Sequence, residues 1–387
     1  MKPRWSVLAV LLLALMSIVP ALAQTQVQLP PLTGEYAVGR VTFDFVDTTR
    51  KDPFVSGSKQ QREVAVKVYY PADAAQAGTS TPYAEGLEVD ALALALHYPI
   101  DVIETDLRAH AVTDAPLSKA VATYPVVLFT GDIGRTALYY TGLLEDLASH
   151  GYIVVALSHP YSNTFTVLSD GRVALPVSSG SADTAKVAAG RDQIGAVWTA
   201  DVGFVLKQLG QLNGSDKRFA GHLDLAHTAI IGHGFGGAVA LSVAASDSRF
   251  LAGVSLDGRV LGDTASKTLT SPVMFIDPSS ASLRPADETT TLAQIKAKST
   301  GTLYNVQVSD ASGATFATDL DTLNGVFADA TQADASAAAI SSPASILRSY
   351  VEGFLDKHLK GKDVPLLDSP ANALPGVQVD VVAPQTQ

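Results

Sequence analysis

Short, mostly continuous apolar runs recur along the chain and are separated by longer helical or irregular segments. The runs lie at 126–129, 153–157, 229–231, 251–256, 273–276 and 303–308. Runs of this kind are typical of parallel strands that are covered on both faces. The earlier segment 63–70 instead alternates, so that Val64, Val66 and Val68 share one face of a strand. We therefore predict an α/β fold with a mainly parallel central sheet flanked by helices.

A long amphipathic helix is predicted over 191–212, where apolar residues recur at three- and four-residue spacing. Its buried stripe comprises Ile194, Val197, Trp198, Val202, Val205, Leu206, Leu209 and Leu212. The stretches 72–120 and 278–342 are less regular, and we interpret them as insertions that form a lid. The pattern thus predicts a single domain over 24–375, followed by a flexible tail over 376–387.

The first residues have the features of an export signal. Lys2 and Arg4 precede an apolar run, 7–19, which ends in the small-residue pattern Pro20-Ala21-Leu22-Ala23. We predict a signal peptide over 1–23 and export to the periplasm or the medium. No later apolar stretch approaches membrane length, so no transmembrane span is expected in the mature chain.

Composition narrows the possible functions. Of the 387 residues, 47% are apolar and 17% are charged, which is typical of a globular protein. The formal net charge of −11 would repel nucleic acid, so no nucleic-acid partner is expected. There is no cysteine, which excludes disulfides, thiolate nucleophiles and Cys-based metal sites.

The most distinctive local pattern is a glycine turn between an apolar run and a predicted helix. Gly232, Gly234 and Gly237 match the dinucleotide-binding pattern Gly-x-Gly-x-x-Gly, and Asp257 follows 20 residues later, where a ribose-binding acid would stand. The same turn, from Gly232 to Gly236, also matches the nucleophile elbow Gly-x-Ser-x-Gly of hydrolases, except that Gly234 replaces the serine. The turn alone leaves both interpretations open.

Many short segments elsewhere bear on this choice through their order and spacing. They are Val38-Gly39, 47–50, Arg62-Glu63, 68–72, 114–116, 124–127, 147–154, Asp201, 223–225, 247–250, 256–258, 350–355 and 359–361. Together they resemble the bacterial relatives of plasma-type platelet-activating-factor acetylhydrolase, which are α/β-hydrolase esterases. The resemblance favours the elbow interpretation, and export also argues against a nicotinamide cofactor, so no cofactor is expected.

The resemblance implies an α/β-hydrolase fold and a Ser-His-Asp site. Asp257 corresponds to the triad acid, although a turn aspartate before Gly258 is an equal alternative. Gly234 stands at the nucleophile position and has no side chain. The triad histidine is expected in the loop after the last core strand, 308–316, which contains none. The remaining histidine after Asp257 is His358, which we expect on the surface of the final helix.

The oxyanion-binding part also departs from the family pattern. Gly232, His233 and Gly236 complete the elbow, and the resemblance assigns the oxyanion-binding N–H groups to Ile133 and Phe235. The loop that carries Ile133 reads Phe129-Thr130-Gly131-Asp132-Ile133-Gly134. A carboxylate at Asp132 would repel a developing oxyanion if it faced the site.

Several weaker patterns have ordinary structural alternatives. His222, Asp224 and His227 have a spacing that suits a metal, but the family shows a similar run without one, so no metal is expected. His159 and Ser162 could form an improvised Ser-His pair or belong to an ordinary loop. His233 is expected to pack rather than act as a base.

Five apolar residues of the early insertion resemble the lining of an acyl pocket, but they could equally belong to the core. They are Tyr83, Leu92, Leu94, Leu96 and Tyr98.

These departures lead to two functional hypotheses. The first is an exported hydrolase-fold pseudoenzyme, or a severely impaired esterase, that keeps an apolar pocket for a lipid or acyl ester. The alternative is an active carboxylic-ester hydrolase that uses a non-standard nucleophile or an activated water. The sequence identifies no protein partner.

Overall fold

The computed structural model describes residues 27–55, 57, 59–73, 75, 77–177, 184–279, 286–313, 315–317, 319, 323 and 342–384. The predicted signal peptide over 1–23 lies outside these residues, as do 280–285, 314, 318, 320–322 and 324–341 of the stretch 278–342. In the part of the chain that is described, no helix is both long and apolar enough to cross a membrane.

The strands are short except near the amino terminus and before the glycine turn. In chain order they are β1 (Val27–Gln28), β2 (Ala37–Lys51), β3 (Gln61–Ala72), β4 (Thr81–Pro82), β5 (Leu107–Ala109), β6 (Val112–Thr113), β7 (Tyr124–Thr130), β8 (Ile153–Ser158), β9 (Thr166–Val167), β10 (Val173–Ala174), β11 (Leu223–His233), β12 (Phe250–Leu256), β13 (Val273–Pro278), β14 (Leu303–Val308) and β15 (Val377–Val382).

The α-helices separate most of the core strands. They are α1 (Leu87–Leu96), α2 (Thr141–Ser149), α3 (Thr184–Ser215), α4 (Phe235–Ala244), α5 (Ala286–Lys298) and α6 (Pro343–Leu359). Shorter helical turns cover Val102–Asp106, Ala137–Tyr140, Gly262–Ser266, Pro365–Leu367 and Pro370–Asn372. The predicted helix over 191–212 is confirmed as the greater part of α3.

A central sheet organises the described residues. Its ten strands run in the order β15-β14-β13-β12-β11-β7-β8-β3-β2-β6 across the described chain. The inner strands from β14 to β8 are mutually parallel. Antiparallel pairing appears on both sides of them, where β15 meets β14 and β3 meets β8. The predicted mainly parallel sheet is therefore confirmed, and β11 lies near its middle.

Helices cover both faces of this sheet, which explains the continuous apolar runs of the inner strands. On one face α2 and α6 contribute Leu143, Tyr350 and Phe354 to a buried cluster. On the other face α3 and α4 contribute residues such as Trp198 and Val239 to a second cluster. The glycine turn at the end of β11 therefore stands on a sheet that is packed on both faces.

Two regions differ from the expectation. Residues 377–382, assigned to a flexible tail, form β15 and pair antiparallel with β14. The insertion 72–120 contains α1 and two strands, β4 and β5, of a small separate sheet. Its function as a lid stays a prediction.

Candidate active site

The glycine turn lies at the carboxyl end of the central strand β11. His233 ends that strand, α4 begins at Phe235, and Gly234 between them has φ 56° and ψ −116°. A residue with a side chain is strained in this region, whereas glycine tolerates it. The Gly234 N–H donates to the Leu256 carbonyl at 2.8 Å and so ties the turn to the neighbouring strand β12. This is the sharp strand-to-helix turn that an elbow requires.

The flanking glycines allow three backbone segments to meet at the turn. A Cβ on Gly232 would overlap the Gly236 carbonyl, and a Cβ on Gly236 would overlap the carbonyl groups of Thr130 and Gly131. Both positions therefore need glycine for close backbone approach. The packing brings the Asp132 loop against the first turn of α4.

Asp132 is the residue that fills this junction. Its Oδ1 accepts a hydrogen bond from the Phe235 N–H at 2.8 Å and another from the Ile133 N–H at 2.9 Å. These are the two N–H groups that the family resemblance assigns to oxyanion binding. The carboxylate therefore faces the site: charge-assisted hydrogen bonds hold it where an oxyanion would bind, and its charge would repel one.

The same side chain also occupies the space beside Gly234. A Cβ on Gly234 would overlap Cγ and Oδ1 of Asp132. The other carboxylate oxygen, Oδ2, lies 3.6 Å from Nε of Arg135, and the Asp132 side chain is 28% exposed. Asp132 thus occupies both the space of the missing nucleophile side chain and the position of the oxyanion.

A buried series of hydrogen bonds supports the loop that carries Asp132, residues 129–134. The Asp132 N–H donates to the Tyr140 hydroxyl at 3.1 Å, and that hydroxyl lies 2.7 Å from Nδ1 of His233. Burial lowers the pKa of His233 to about 4, so the ring is neutral at neutral pH and Nδ1 accepts from Tyr140. A further hydrogen bond joins His233 to the Gly313 backbone. His233 therefore packs and positions the loop, as expected.

Asp257 lies one strand away from Gly234. It follows β12, whose Leu256 is in register with His233, and it has a φ of 48°. Its N–H donates to the Ile276 carbonyl at 2.8 Å. A Cβ on Gly313 would overlap Oδ2 of Asp257. The position facing this carboxylate in the loop after β14 is therefore a glycine, which the sequence alone could not single out.

His358 is not the surface residue that we expected. It is half-buried on α6, its ring packs against Phe354, and its Nε2 lies 3.2 Å from the Tyr304 hydroxyl. Burial lowers the pKa of His358 to about 4. These contacts explain the histidine as a packing residue.

The structure contains a triad-like chain that the sequence analysis did not assemble. His159 Nε2 lies 2.9 Å from Thr130 Oγ1, and its Nδ1 lies 2.9 Å from Asp201 Oδ2. All three side chains are buried, and the imidazole stacks on Trp198 at 3.9 Å. Burial lowers the pKa of His159. Because none of these three side chains reaches solvent, we interpret this hydrogen-bonded group as structural.

The improvised Ser-His pair is not formed. The two His159 nitrogens bond Thr130 and Asp201. The buried Ser162 hydroxyl has no hydrogen-bond partner among the described residues. The possible metal site at His222, Asp224 and His227 is also not formed. Nδ1 of His222 bonds the Ala122 carbonyl, whereas Nδ1 of His227 bonds Asp224. Among the described residues, no group of three or more metal-binding side chains is found.

The apolar residues of the early insertion divide between core and surface. Tyr83 and Leu92 are fully buried in the core cluster, and Leu96 and Tyr98 pack partly against it. Leu94 is 72% exposed. The core alternative therefore holds for most of this group.

The chain is similar to known proteins in both sequence and structure. The family model "Platelet-activating factor acetylhydrolase, isoform II" matches residues 21–170 and 202–314. The platelet-activating factor acetylhydrolase of Cavia porcellus is 27% identical over 190 residues, which are 44% of this chain and 43% of that protein. A probable 1-alkyl-2-acetylglycerophosphocholine esterase of Arthroderma benhamiae is 26% identical over 149 residues, covering 38% and 34% of the two chains. The chain thus spans less than half the length of these curated relatives.

A solved structure extends the comparison over nearly the whole chain. The ferulic acid esterase from Streptomyces cinnamoneus superposes with a TM-score of 0.73 and 26% identity, covering 92% of this chain and 99% of that one. The chain has the α/β-hydrolase fold and belongs to the platelet-activating factor acetylhydrolase, isoform II family. The matched relatives and the structural neighbour are named as an acetylhydrolase and as esterases.

Proposed function

We propose that this chain is an exported, hydrolase-fold binding protein that holds a lipid or acyl ester without serine-catalysed turnover. The observation that carries the proposal is the position of Asp132, whose Oδ1 accepts the N–H groups of both Phe235 and Ile133. An ester carbonyl oxygen cannot use those donors while the carboxylate holds them.

The chemistry of acyl transfer supports the proposal. Ester hydrolysis through a serine needs that nucleophile, a base that takes its proton, and hydrogen-bond donors for the oxyanion. Position 234 offers no side chain, and Gly313 faces Asp257 where a base would need to stand. The third requirement is met only if Asp132 leaves its place. Three separate segments therefore depart from the family reaction in a mutually consistent way.

The class of ligand follows from the relatives. One is named for platelet-activating factor, another for 1-alkyl-2-acetylglycerophosphocholine, and the structural neighbour for ferulic acid. A short-acyl phospholipid or a similar acyl ester is therefore the proposed ligand. Export rests on the predicted signal peptide over 1–23.

Ester hydrolysis by an activated water is the second candidate. It is favoured by one observation, the partly exposed Asp132 carboxylate beside Gly234, since a carboxylate can act as a general base. In this case Asp132 would need to leave the two N–H groups and then deprotonate a water. The two candidates therefore differ in whether the purified protein hydrolyses an ester.

Turnover is tested with short-chain nitrophenyl esters and an acetyl phospholipid. A Gly234→Leu variant, prepared identically and shown by circular dichroism to be folded, reports contaminating esterases. The binding proposal predicts no turnover above this control and no labelling by a fluorophosphonate probe. Turnover that the substitution abolishes would support the second candidate and overturn the first.

A further inference from the structure

The two oxygens of the Asp132 carboxylate are in different environments. Oδ1 accepts the N–H groups of Phe235 and Ile133 at 2.8 and 2.9 Å. Oδ2 has a weaker ion pair, with Nε of Arg135 at 3.6 Å. The carboxylate is thus anchored through one oxygen, while the side chain remains 28% exposed. An anchored, partly exposed carboxylate in the loop after β7, beside the carboxyl end of the central strand β11, is arranged as a nucleophile.

The anchored oxygen decides which electrophiles such a nucleophile can attack. Attack on an ester carbonyl would create an oxyanion on the substrate, and its donors are already taken by Oδ1. Attack on a saturated carbon creates no oxyanion, so the occupied donors are no obstacle. They instead hold the carboxylate in one orientation, which reduces the entropy lost on reaction.

We propose that Asp132 is a carboxylate nucleophile toward alkylating agents, meaning compounds with a saturated carbon that bears a halide. Oδ2 forms a new C–O bond with this carbon through a lone pair. The carbon–halogen bond breaks, and the halide leaves with its electron pair. The products are an alkyl ester of Asp132 and a halide ion, and the step needs neither a proton donor nor an oxidant.

The same geometry predicts the fate of the alkyl ester. Oδ1 becomes the ester carbonyl oxygen and stays within reach of Phe235 and Ile133, which would support attack by water at Cγ. That attack also needs a base to accept the proton of the water. His233 is already bonded to Tyr140 and Gly313. The ester is therefore expected to accumulate, with one alkyl group per chain.

Alkylation of the whole mature chain with 4-nitrobenzyl bromide tests this inference. The chain has no cysteine, so thiols do not compete for the reagent. Peptide mass spectrometry is expected to find ester formation at Asp132 at least about 10-fold faster than at Asp263, whose side chain is 73% exposed. Hydroxylamine cleaves an alkyl ester but not an alkylated histidine, and so identifies the bond.

Two variants complete the test. Asp132→Asn keeps an acceptor for both N–H groups and is expected to abolish labelling at this position. Asp263→Asn is the matched control and should leave labelling of Asp132 unchanged. Equal rates at Asp132 and Asp263, or equally fast labelling of Asp132 in urea, would overturn the inference. It is independent of the binding proposal, since a chain that binds acyl esters can fail to alkylate, and the converse also holds.

Discussion

The Asp132 side chain lies where a side chain on Gly234 would point, since a Cβ on Gly234 would overlap Cγ and Oδ1 of Asp132. A serine at position 234 and the observed aspartate conformation therefore exclude each other. The loss of the nucleophile side chain and the gain of the carboxylate are two parts of one packing arrangement, although they lie 102 positions apart in the chain.

The first prediction concerns this pair. Gly234→Ser alone is expected to lower the free energy of unfolding by about 1–3 kcal/mol, because it adds backbone strain and a clash with Asp132. Adding Asp132→Ala should recover part of that loss, which gives a positive coupling in a double-mutant cycle. Urea unfolding measures all four chains. Additive effects of the two substitutions would contradict the arrangement.

A second prediction concerns reconstruction of the reaction. In a chain carrying Gly234→Ser and Asp132→Ala, Gly313→His should place an imidazole beside Asp257, whose carboxylate can shift at little cost. A positioned general base contributes about 10²–10⁴-fold. We expect at least about 10²-fold faster nitrophenyl ester hydrolysis than in the double variant. A fluorophosphonate probe should label the new serine at position 234 and no other residue.

The matched control for this reconstruction places the histidine elsewhere in the same loop. Ser309→His in the double variant leaves Gly313 unchanged and should produce no such gain. Equal activity of the two histidine variants would show that Gly313 does not face the acid in the way described.

Much of the fold could be predicted from the sequence because the inner strands are covered on both faces and appear as continuous apolar runs. Strand β2 was missed, although Val41, Phe43 and Phe45 alternate with polar residues along it. Strand β15 carries the same weak signal in Val377, Val379 and Val381. Alternation in an outer strand is easily taken for loop or tail when the partner strand is unknown.

The site was predictable only in part. Gly232 and Gly236 were visible as matches to a family pattern, and Gly234 and Asp132 as departures from it. The direction of the Asp132 carboxylate was not, because it depends on hydrogen bonds to Phe235, which is 103 positions away. The importance of Gly313 likewise appears only when β12 and the loop after β14 are placed side by side.

A third prediction concerns the buried ion network beneath the triad-like chain. Arg62 pairs with Asp52 at 3.0 Å and with Asp201 at 2.7 Å, and all three side chains are fully buried. Arg62→Met would leave two buried carboxylates without this partner. The free energy of unfolding should fall by about 3–5 kcal/mol, as measured by urea unfolding.

Arg172 provides the matched control for Arg62. It also pairs with two carboxylates, those of Glu63 and Asp170, but its side chain is 47% exposed. Arg172→Met is expected to change the free energy of unfolding by no more than about 1 kcal/mol. Comparable losses in the two variants would contradict a buried, structural function for the Arg62 network.

A fourth prediction concerns pH. Asp319 is buried and accepts hydrogen bonds from Tyr83 at 3.0 Å and from the Gly142 N–H at 3.1 Å. Burial raises its pKa from 3.8 to about 7, with the Arg348 charge opposing and the Glu145 charge adding to the rise. The folded chain therefore holds a proton that the unfolded chain releases above about pH 4.

The sign of the effect follows from this difference. The contribution of Asp319 to stability is complete below about pH 4 and is lost as the pH rises to about 7. Asp319→Asn mimics the protonated acid, so its stability relative to the parent should rise across this range by up to about 1.4 kcal/mol per pH unit. Urea unfolding of both chains measures the difference, and a difference that does not vary with pH would contradict the assignment.

The fate of a bound lipid ester is the most direct measure of binding without turnover. The mature chain is incubated with a stoichiometric amount of an acetyl phospholipid, the complex is isolated by gel filtration, and the lipid is extracted and identified by mass spectrometry. Binding without turnover predicts that the lipid co-elutes with the protein and is recovered with its acetyl group intact. Recovery of deacetylated lipid from the parent, but not from folded Gly234→Leu, would contradict it.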